Sequence, residues 1–170
     1  MRIGGFILAL ALAGCIPGGT TVISEGDAIT FPEIAGFCLN EEESRNGPES
    51  VFAVYGDCEG EKAPGELQFS LSPNDVTPPD PEVLEEFLRE RSSTQFAGGE
   101  ILAEEVIEDT FLIKMNDDEG HSGPVWRAFA VVEQRLMNAT YIAGEDAGDD
   151  AAQVQTLFNA VNALQAANGQ

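Results

Sequence analysis

Positive charge is scarce in this sequence: 8 of its 170 residues are Lys or Arg, against 30 Asp and Glu, and the formal net charge is −22. Nucleic-acid binding needs clustered Lys and Arg to neutralise phosphates, and a polybasic membrane-surface mode needs a run of them. The composition therefore excludes both. A hydrophobic fraction of 43% and ten Phe still supply a core for one domain.

Residues suited to catalysis are also few. His121 is the one histidine of the chain, and Ser122 adjoins it in a Gly-containing polar segment. A nucleophile and its base must meet at about 3 Å with an orienting third group, which two sequence neighbours do not arrange by themselves. The motifs of serine hydrolases, phosphate loops, dinucleotide sites and zinc proteases are missing. We interpret His121 as a solvated loop residue and expect neither an enzyme nor a cofactor.

The apolar run near the amino terminus is too short to span a membrane. It covers 3–13 and follows Met1 and Arg2, which form a positive start. Crossing a bilayer core of about 30 Å takes about twenty helical residues. A run of this length is typical of the hydrophobic part of a signal peptide.

The run ends in Leu12-Ala13-Gly14-Cys15, which resembles the lipobox of bacterial lipoproteins. The resemblance implies that residues 1–14 are removed as a signal peptide and that Cys15 receives a diacylglyceryl group and becomes an acylated amino terminus. Two or three acyl chains give stable anchoring. Ile16 is not the Asp that retains lipoproteins of enteric bacteria in the inner membrane, so the resemblance favours the outer membrane, with the domain facing the periplasm or cell surface. The alternative is an ordinary cleaved signal with an incidental Cys.

The mature chain divides into a short tether and one domain. Residues 15–26 combine Cys15 with Gly, Thr and Ser, and we interpret them as the lipidated residue and a flexible tether. Residues 27–170 form the domain. Its two cysteines, Cys38 and Cys58, form an even pair in an exported chain and predict a disulfide worth roughly 3 kcal/mol. The wide spacing does not fit a catalytic dithiol, and a zinc site needs more ligands.

The apolar patterns of the domain predict strands, a helix, more strands and a final helix. Glu41 to Glu43 and the Asn-Gly-Pro turn that follows predict a polar loop over 40–50. The strands are expected at 28–31, 36–39, 51–57, 67–72, 101–108, 110–116, 125–134 and 136–143. One helix starts after the cap Asp80 with Pro81 and runs to about Ser92, and the other covers about 150–166.

This order predicts an α+β fold, an antiparallel sheet of about five to seven strands with two amphipathic helices packed on one face. The expected core joins the apolar faces of the two helices to inward-facing sheet residues. The helix residues are Val83, Leu84, Phe87, Leu88, Val154, Leu157, Phe158 and Val161, and the sheet residues include Phe69, Ile113 and Phe129.

Two further resemblances concern fold and source. The element order is similar to the Mog1/PsbP-like fold. One segment also resembles a group of small exported alphaproteobacterial proteins of unknown function. It runs from Gly36 to Cys58 and includes Phe37, Cys38, Asn40 and Arg45. Because the function of that group is unknown, the resemblance implies no activity for this chain.

Acidic clusters are the remaining chemical feature. They lie at Glu41 to Glu43, at Asp117-Asp118-Glu119 and at 145–150, and the second and third fall in predicted loops. Calcium takes six to eight oxygen ligands, yet neither loop cluster has the ligand spacing of the twelve-residue calcium loop. We interpret the clusters as a solvating surface, with Asp117, Asp118 and Glu119 as the candidate ligands if a cation binds.

The sequence thus favours a non-enzymatic, lipid-anchored envelope protein that binds a partner protein or supports an assembly near the membrane. A module that binds a cation or small ligand is one alternative. A hydrolase that uses His121 with a remote Ser or Asp is the other.

Overall fold

The computed structural model describes residues 19–24, 27–46, 51–72, 83–95, 99–116 and 123–169. Within these ranges the chain forms nine strands and two helices. In chain order they are β1 (Thr20–Ser24), β2 (Asp27–Phe31), β3 (Cys38–Asn46), β4 (Val51–Gly56), β5 (Gly65–Leu71), α1 (Leu84–Gln95), β6 (Glu100–Ile107), β7 (Thr110–Asn116), β8 (Val125–Val132), β9 (Arg135–Ala143) and α2 (Asp150–Ala167).

Seven strands form one antiparallel sheet in the order β3-β4-β5-β9-β8-β7-β6. Each half of the sheet is a meander, and the pairing of β5 with β9 joins the halves, from Gly65 opposite Ala143 to Leu71 opposite Met137. The predicted α+β class and antiparallel sheet are confirmed. Two-residue turns join β6 to β7 and β8 to β9, and each places a Glu, Glu108 or Glu133, at φ 54.

The two helices cover opposite faces of the sheet, so the prediction that both pack on one face is wrong. Side chains alternate between the two faces of a sheet along a strand, so neighbouring residues of β7 belong to different cores. Leu112 packs in the core that contains α2, whereas Phe111 and Ile113 pack in the core that contains Leu88 of α1. All eight residues of β8 are buried, as expected for a strand between two layers.

The larger core lies under α2 and the β1–β2 hairpin. From α2 it takes Val154, Leu157, Ala160, Val161 and Leu164, and from β2 it takes Ile29 and Phe31. Asp149 caps α2 with its side chain, which accepts the N–H of Ala152 at 3.0 Å. At the other end of the helix, the Asn168 amide accepts from the Thr30 N–H at 2.8 Å and donates to the Thr30 carbonyl at 3.0 Å.

The smaller core lies under α1. Leu88 is fully buried there with Phe111, Ile113 and Phe129, while Leu84 and Phe87 are partly buried against them. Val83 was predicted to be in the core, but it is 47% exposed. The other predicted core residues of α2 and of the sheet are buried.

Two predicted irregular segments are ordered as strands. Residues 20–24, expected in the flexible tether, form β1 and pair with β2 from Thr20 opposite Phe31 to Ser24 opposite Asp27. Residues 40–46, expected in the polar loop, belong to β3, which pairs with β4 through an irregular register between Asn40 and Arg45. The strand predicted at 36–39 begins later, at Cys38, because Gly36 adopts a turn with φ 82. The predicted helix start at Asp80 and Pro81 lies outside the described residues.

Candidate functional site

Several candidate residues from the sequence fall outside the described ranges. These are the lipidation candidate Cys15, the histidine His121, and the candidate cation ligands Asp117, Asp118 and Glu119. The described residues that were singled out by the sequence are the two cysteines and the acidic residues at 41–43 and 145–150.

Cys38 and Cys58 form the predicted disulfide, with 5.0 Å between their Cα atoms. The bond ties the start of β3 to a small bridge after β4, in which the Cys58 N–H donates to the Glu61 carbonyl at 3.0 Å. The crosslink closes a loop with a sequence separation of 20. By the chain-entropy formula a loop of this size adds roughly 3 kcal/mol to the free energy of unfolding.

The same end of the sheet holds both tyrosines of the chain. The Tyr55 hydroxyl donates to the Pro32 carbonyl at 2.8 Å, and the Tyr141 hydroxyl donates to the Pro64 carbonyl at 3.0 Å. Burial raises the pKa of each phenol above its ordinary value of 10.0, and more strongly for Tyr55. A cavity of about 490 Å³ opens beside Tyr55, with Phe31, Phe37 and Gly19 among its lining residues.

The acidic residues at 41–43 and 145–150 are exposed on the surface, and some of them lie at the start of α2. The side chains of Glu41, Glu42 and Glu43 are exposed on β3. Asp149 is the cap of α2, and the Asp150 carboxylate accepts a hydrogen bond from the Lys114 ammonium at 2.6 Å. Within the described ranges, His, Cys, Asp and Glu form no group of three or more that is arranged to hold a metal ion.

Among the described residues, two basic side chains are buried, which the sequence did not indicate. Arg127 donates to the Thr140 hydroxyl at 3.0 Å in the sheet, and Arg135 donates to the Ser72 carbonyl at 3.2 Å. Both side chains are almost completely inaccessible to solvent. Their positive charges are therefore withdrawn from the surface, which becomes more acidic than the composition suggests.

A surface group of apolar side chains is the candidate functional site, and we call it the β6 patch. Its members are Val83 next to α1 and three residues of β6: Ile101, Leu102 and Val106, each 42 to 47% exposed. No sequence signal pointed to it, because the β6 pattern of Ile, Leu and Val is also that of a buried strand. Its exposure follows from the position of β6 at the end of the sheet.

The β6 patch continues into a groove between α1 and the β6–β7 hairpin. This groove has a volume of about 240 Å³. Its apolar lining comes from Leu84, Leu88, Val106 and Phe111, and its acidic lining from Glu85, Glu108 and Asp109. An apolar floor beside carboxylates suits a side chain with an apolar stem and a cationic end, such as Lys or Arg.

Arg89 joins α1 to β6 beside this groove. Its guanidinium pairs with the Glu104 carboxylate of β6 and, at 3.1 Å, with the Glu85 carboxylate one helical turn earlier. The same guanidinium lies 4.8 Å from the centre of the Phe111 ring. Arg89 thus partly neutralises the carboxylates of Glu104 and Glu85.

Compared with known proteins, the chain matches no protein-family model, and no curated protein shows significant similarity to it. Among the helices in the described ranges, none has both the length and the apolar character required to cross a bilayer.

Proposed function

We propose that this chain is a lipid-anchored protein of the bacterial envelope whose acidic domain binds a partner protein and catalyses no reaction. The observation that carries the partner-binding role is the β6 patch. Single exposed apolar side chains are ordinary on protein surfaces, whereas a contiguous group with a charged border is typical of an interaction site. Ile101, Leu102 and Val106 are exposed apolar residues of one strand, β6, which also carries Glu100, Glu104 and Glu105.

Two features support the envelope location. Leu12-Ala13-Gly14-Cys15 follows a short apolar run and resembles a lipobox. The disulfide between Cys38 and Cys58 is of the kind that persists in oxidising compartments such as the periplasm and is rare in the cytosol. The anchor would leave an exported domain at the membrane surface.

The position of β1 supports a role close to that surface. A chain extends at most about 3.6 Å per residue, so Thr20 lies within about 18 Å of Cys15. β1 is fixed to the domain through β2, whose Ile29 and Phe31 are buried under α2. The domain is therefore held next to the anchor instead of ranging widely on a long linker.

Changing the anchor residue tests the membrane attachment. The Cys15→Ser variant has no thiol for the lipid, so we expect it to move from the detergent-extracted membrane fraction to the soluble envelope fraction or to remain unprocessed. The Ile16→Ala variant keeps Cys15 and serves as the control, which stays with the membranes. Full membrane retention of mature Cys15→Ser after a high-salt wash would refute the anchor.

Crosslinking in intact envelopes tests the partner-binding role separately. We expect the wild-type protein to form a defined adduct with another protein, detected as one heavier species of constant mass. A protein that gives no adduct with any protein under conditions that crosslink known envelope complexes does not bind a partner, and this part of the proposal then fails.

A further inference from the structure

We infer that an apolar cavity beside the amino-terminal hairpin binds one acyl chain of the protein's own lipid anchor. The cavity, which we call the hairpin cavity, has a volume of about 490 Å³ and takes its walls from 19–20, 31–35, 37–39 and Tyr55. This site rests on the membrane attachment proposed above. It specifies where one chain of the anchor lies and which end of the domain faces the bilayer.

The hairpin cavity exists because the hairpin does not join the main sheet. In the described part of the chain β1 and β2 pair with each other, whereas β3 pairs with β4. The space between β1 and β3 therefore stays open. A second cavity of about 480 Å³ shares Thr20, Phe31 and Leu39 with the first, so the two adjoin. Together they form an elongated cleft, which is the shape that an acyl chain requires.

The walls of the hairpin cavity suit an apolar occupant. Phe31 and Phe37 are buried members of the larger core, and Ile34 packs against that core from a partly buried position. Two polar groups of the walls are already paired. The Tyr55 hydroxyl donates to the Pro32 carbonyl at 2.8 Å, and the Phe37 N–H donates to the Ile34 carbonyl at 3.0 Å. Cavities of about 300 to 1,000 Å³ with mainly apolar walls are typical ligand sites, and an occupant here gains mainly by leaving water.

The charge of this region favours an acyl chain with an uncharged end. Glu33 is the one carboxylate among the described lining residues, and its side chain is exposed to solvent. The whole chain carries a formal net charge of −22. A free fatty acid or an anionic phospholipid would bring a further negative charge to this site, and like charges repel. The chains of the anchor are held by uncharged ester and amide groups, which meet no such repulsion.

The anchor is attached close to the wall of the hairpin cavity. Gly19 lines the cavity, and a Cβ at this position would lie 2.4 Å from the Phe31 carbonyl oxygen. The backbone of Gly19 is therefore packed directly on β2. Cys15 lies four residues earlier, so at most about 14 Å separates the Cα atoms of Cys15 and Gly19. An acyl chain on Cys15 thus starts within reach of the cavity.

Binding of one chain leaves the membrane attachment intact. A fully acylated Cys15 carries three chains, and two chains in the bilayer still give stable anchoring. The chain in the cavity turns the hairpin end of the domain toward the bilayer. The β6 patch belongs to the opposite end of the sheet order from β3, so it stays accessible to a partner protein.

A photo-crosslinkable fatty acid tests the site on the lipidated protein. Native cells incorporate a diazirine-labelled fatty acid, so that the anchor and the surrounding lipids both carry the label. After irradiation of the membranes, the monomeric protein is purified and its peptides are mapped by mass spectrometry. We expect the peptide with Cys15 to be joined, through its acyl chain, to a peptide from 31–39 of the same molecule.

Two variants locate this crosslink. Ile34→Trp places a larger ring in the hairpin cavity, and we expect the crosslink to be lost. Leu136→Trp is the matched control, because Leu136 is also partly buried but packs in the smaller core on the opposite face of the sheet. We expect the crosslink to be retained in this variant.

Binding of a neutral lipid in solution tests the cavity without a change at Ile34. The probe is monopalmitoylglycerol below its micelle concentration, and the protein is the mature chain with Cys15→Ser, exported so that its disulfide forms. We expect saturable binding to one site, and palmitate should bind at least about threefold more weakly because Glu33 repels its carboxylate. Glu33→Gln should remove most of this difference. Glu145→Gln, a change of the same charge at an exposed residue after β9, should leave it unchanged.

The outcomes separate the acyl site from the anchor itself. A lipidated Cys15 whose chain labels none of 31–39, or labels them equally in Ile34→Trp, refutes the site and leaves the anchor standing. Label that reaches 31–39 only from separate lipids overturns the assignment of the occupant to the anchor. Absence of saturable binding of monopalmitoylglycerol, or equally tight binding of palmitate, overturns the site as well. An unmodified Cys15 refutes the anchor and the site together.

Discussion

At the scale of single residues, the two tyrosines make the free energy of unfolding depend on pH. Tyr55 and Tyr141 are buried, and each donates its hydroxyl proton to a prolyl carbonyl at the end of the sheet. Ionisation would remove that proton and leave a buried phenolate. Burial disfavours the charged phenolate, so the pKa of each phenol lies above its ordinary value.

The raised pKa values predict a loss of stability at alkaline pH. The folded state holds the two protons more tightly than the unfolded state, whose phenols ionise near pH 10. The stabilisation is therefore fully present below about pH 10 and is lost as the pH rises above it toward the pKa values of the folded protein. Absorbance of tyrosinate is expected to appear only above pH 10, together with unfolding.

The Tyr55→Phe variant checks the cause of this effect. Without a phenol at this position, the decline of stability above pH 10 should be shallower, while the free energy of unfolding at neutral pH falls by about 1 kcal/mol because the bond to Pro32 is lost. Tyr141→Phe is the matched variant and should flatten the decline less, since burial raises the pKa of Tyr55 more strongly. A tyrosine that titrates with an ordinary pKa in the native protein would contradict this account.

At the scale of elements, Asn168 fastens the amino-terminal hairpin to the last helix. Its amide forms two bonds with the backbone of Thr30, across a sequence separation of 138, and a third with the Leu164 carbonyl at 2.7 Å. Asn168→Ala should lower the free energy of unfolding by about 1 to 3 kcal/mol, because it leaves partly buried backbone groups of Thr30 without these partners. Denaturant unfolding measures the loss, and faster hydrogen exchange at Thr30 locates it.

Asn159→Ala is the control for this change. Asn159 lies on the same helix, but it is exposed and its side chain accepts from Gln155 one turn away at 2.8 Å. We expect a change within about 0.5 kcal/mol. If the two variants unfold at the same denaturant concentration, Asn168 does not hold the hairpin.

The sequence predicts most of the elements correctly, since their apolar periodicities are strong. The strand at 110–116 and the start of α2 at Asp150 are confirmed at the predicted residues. The placement of the helices on opposite faces was missed, although a signal for it exists: 125–132 contains seven apolar residues and Arg127, with no polar alternation. Such a run indicates a strand that is covered on both faces.

The remaining errors arise from pairing partners that are distant in sequence. Glu41 to Glu43 were expected in a loop because acidic residues are rare in strands. They lie in the irregular stretch of β3 between Asn40 and Arg45, where the Asn40 side chain accepts the N–H groups of Glu42 and Glu43. Residues 20–24 were expected to be a tether because the strand that pairs with them and the core that Val22 packs against are formed by other parts of the chain. The β6 patch was not predicted either, because hydrophobicity alone does not show which strand ends the sheet.

At the scale of the whole molecule, the dominant property is negative charge. The formal net charge is −22, and the basic side chains of Arg127 and Arg135 are buried. The exposed ion pairs, such as Lys114 with Asp150, contribute little to stability. Mutual repulsion of the carboxylates should therefore oppose folding more than ion pairing favours it.

Salt should consequently stabilise the domain. The screening length falls from about 10 Å at 0.1 M to about 3 Å at 1 M, so the melting temperature should rise with sodium chloride alone. Calcium at fixed ionic strength should add no saturable stabilisation. If it does, and the Asp117→Asn and Asp118→Asn changes together abolish it, a specific cation site exists and the diffuse-charge account is wrong.

The lipid anchor is the central claim, because the location of the domain and its short reach from the membrane both depend on it. Mass spectrometry of the amino-terminal peptide, from protein extracted out of the membranes of its native cells, measures this claim most directly. The account predicts that the mature chain begins at Cys15 and that this residue carries a diacylglyceryl group with an acylated amino terminus. A mature chain that begins at any other residue, or an unmodified Cys15, would contradict it.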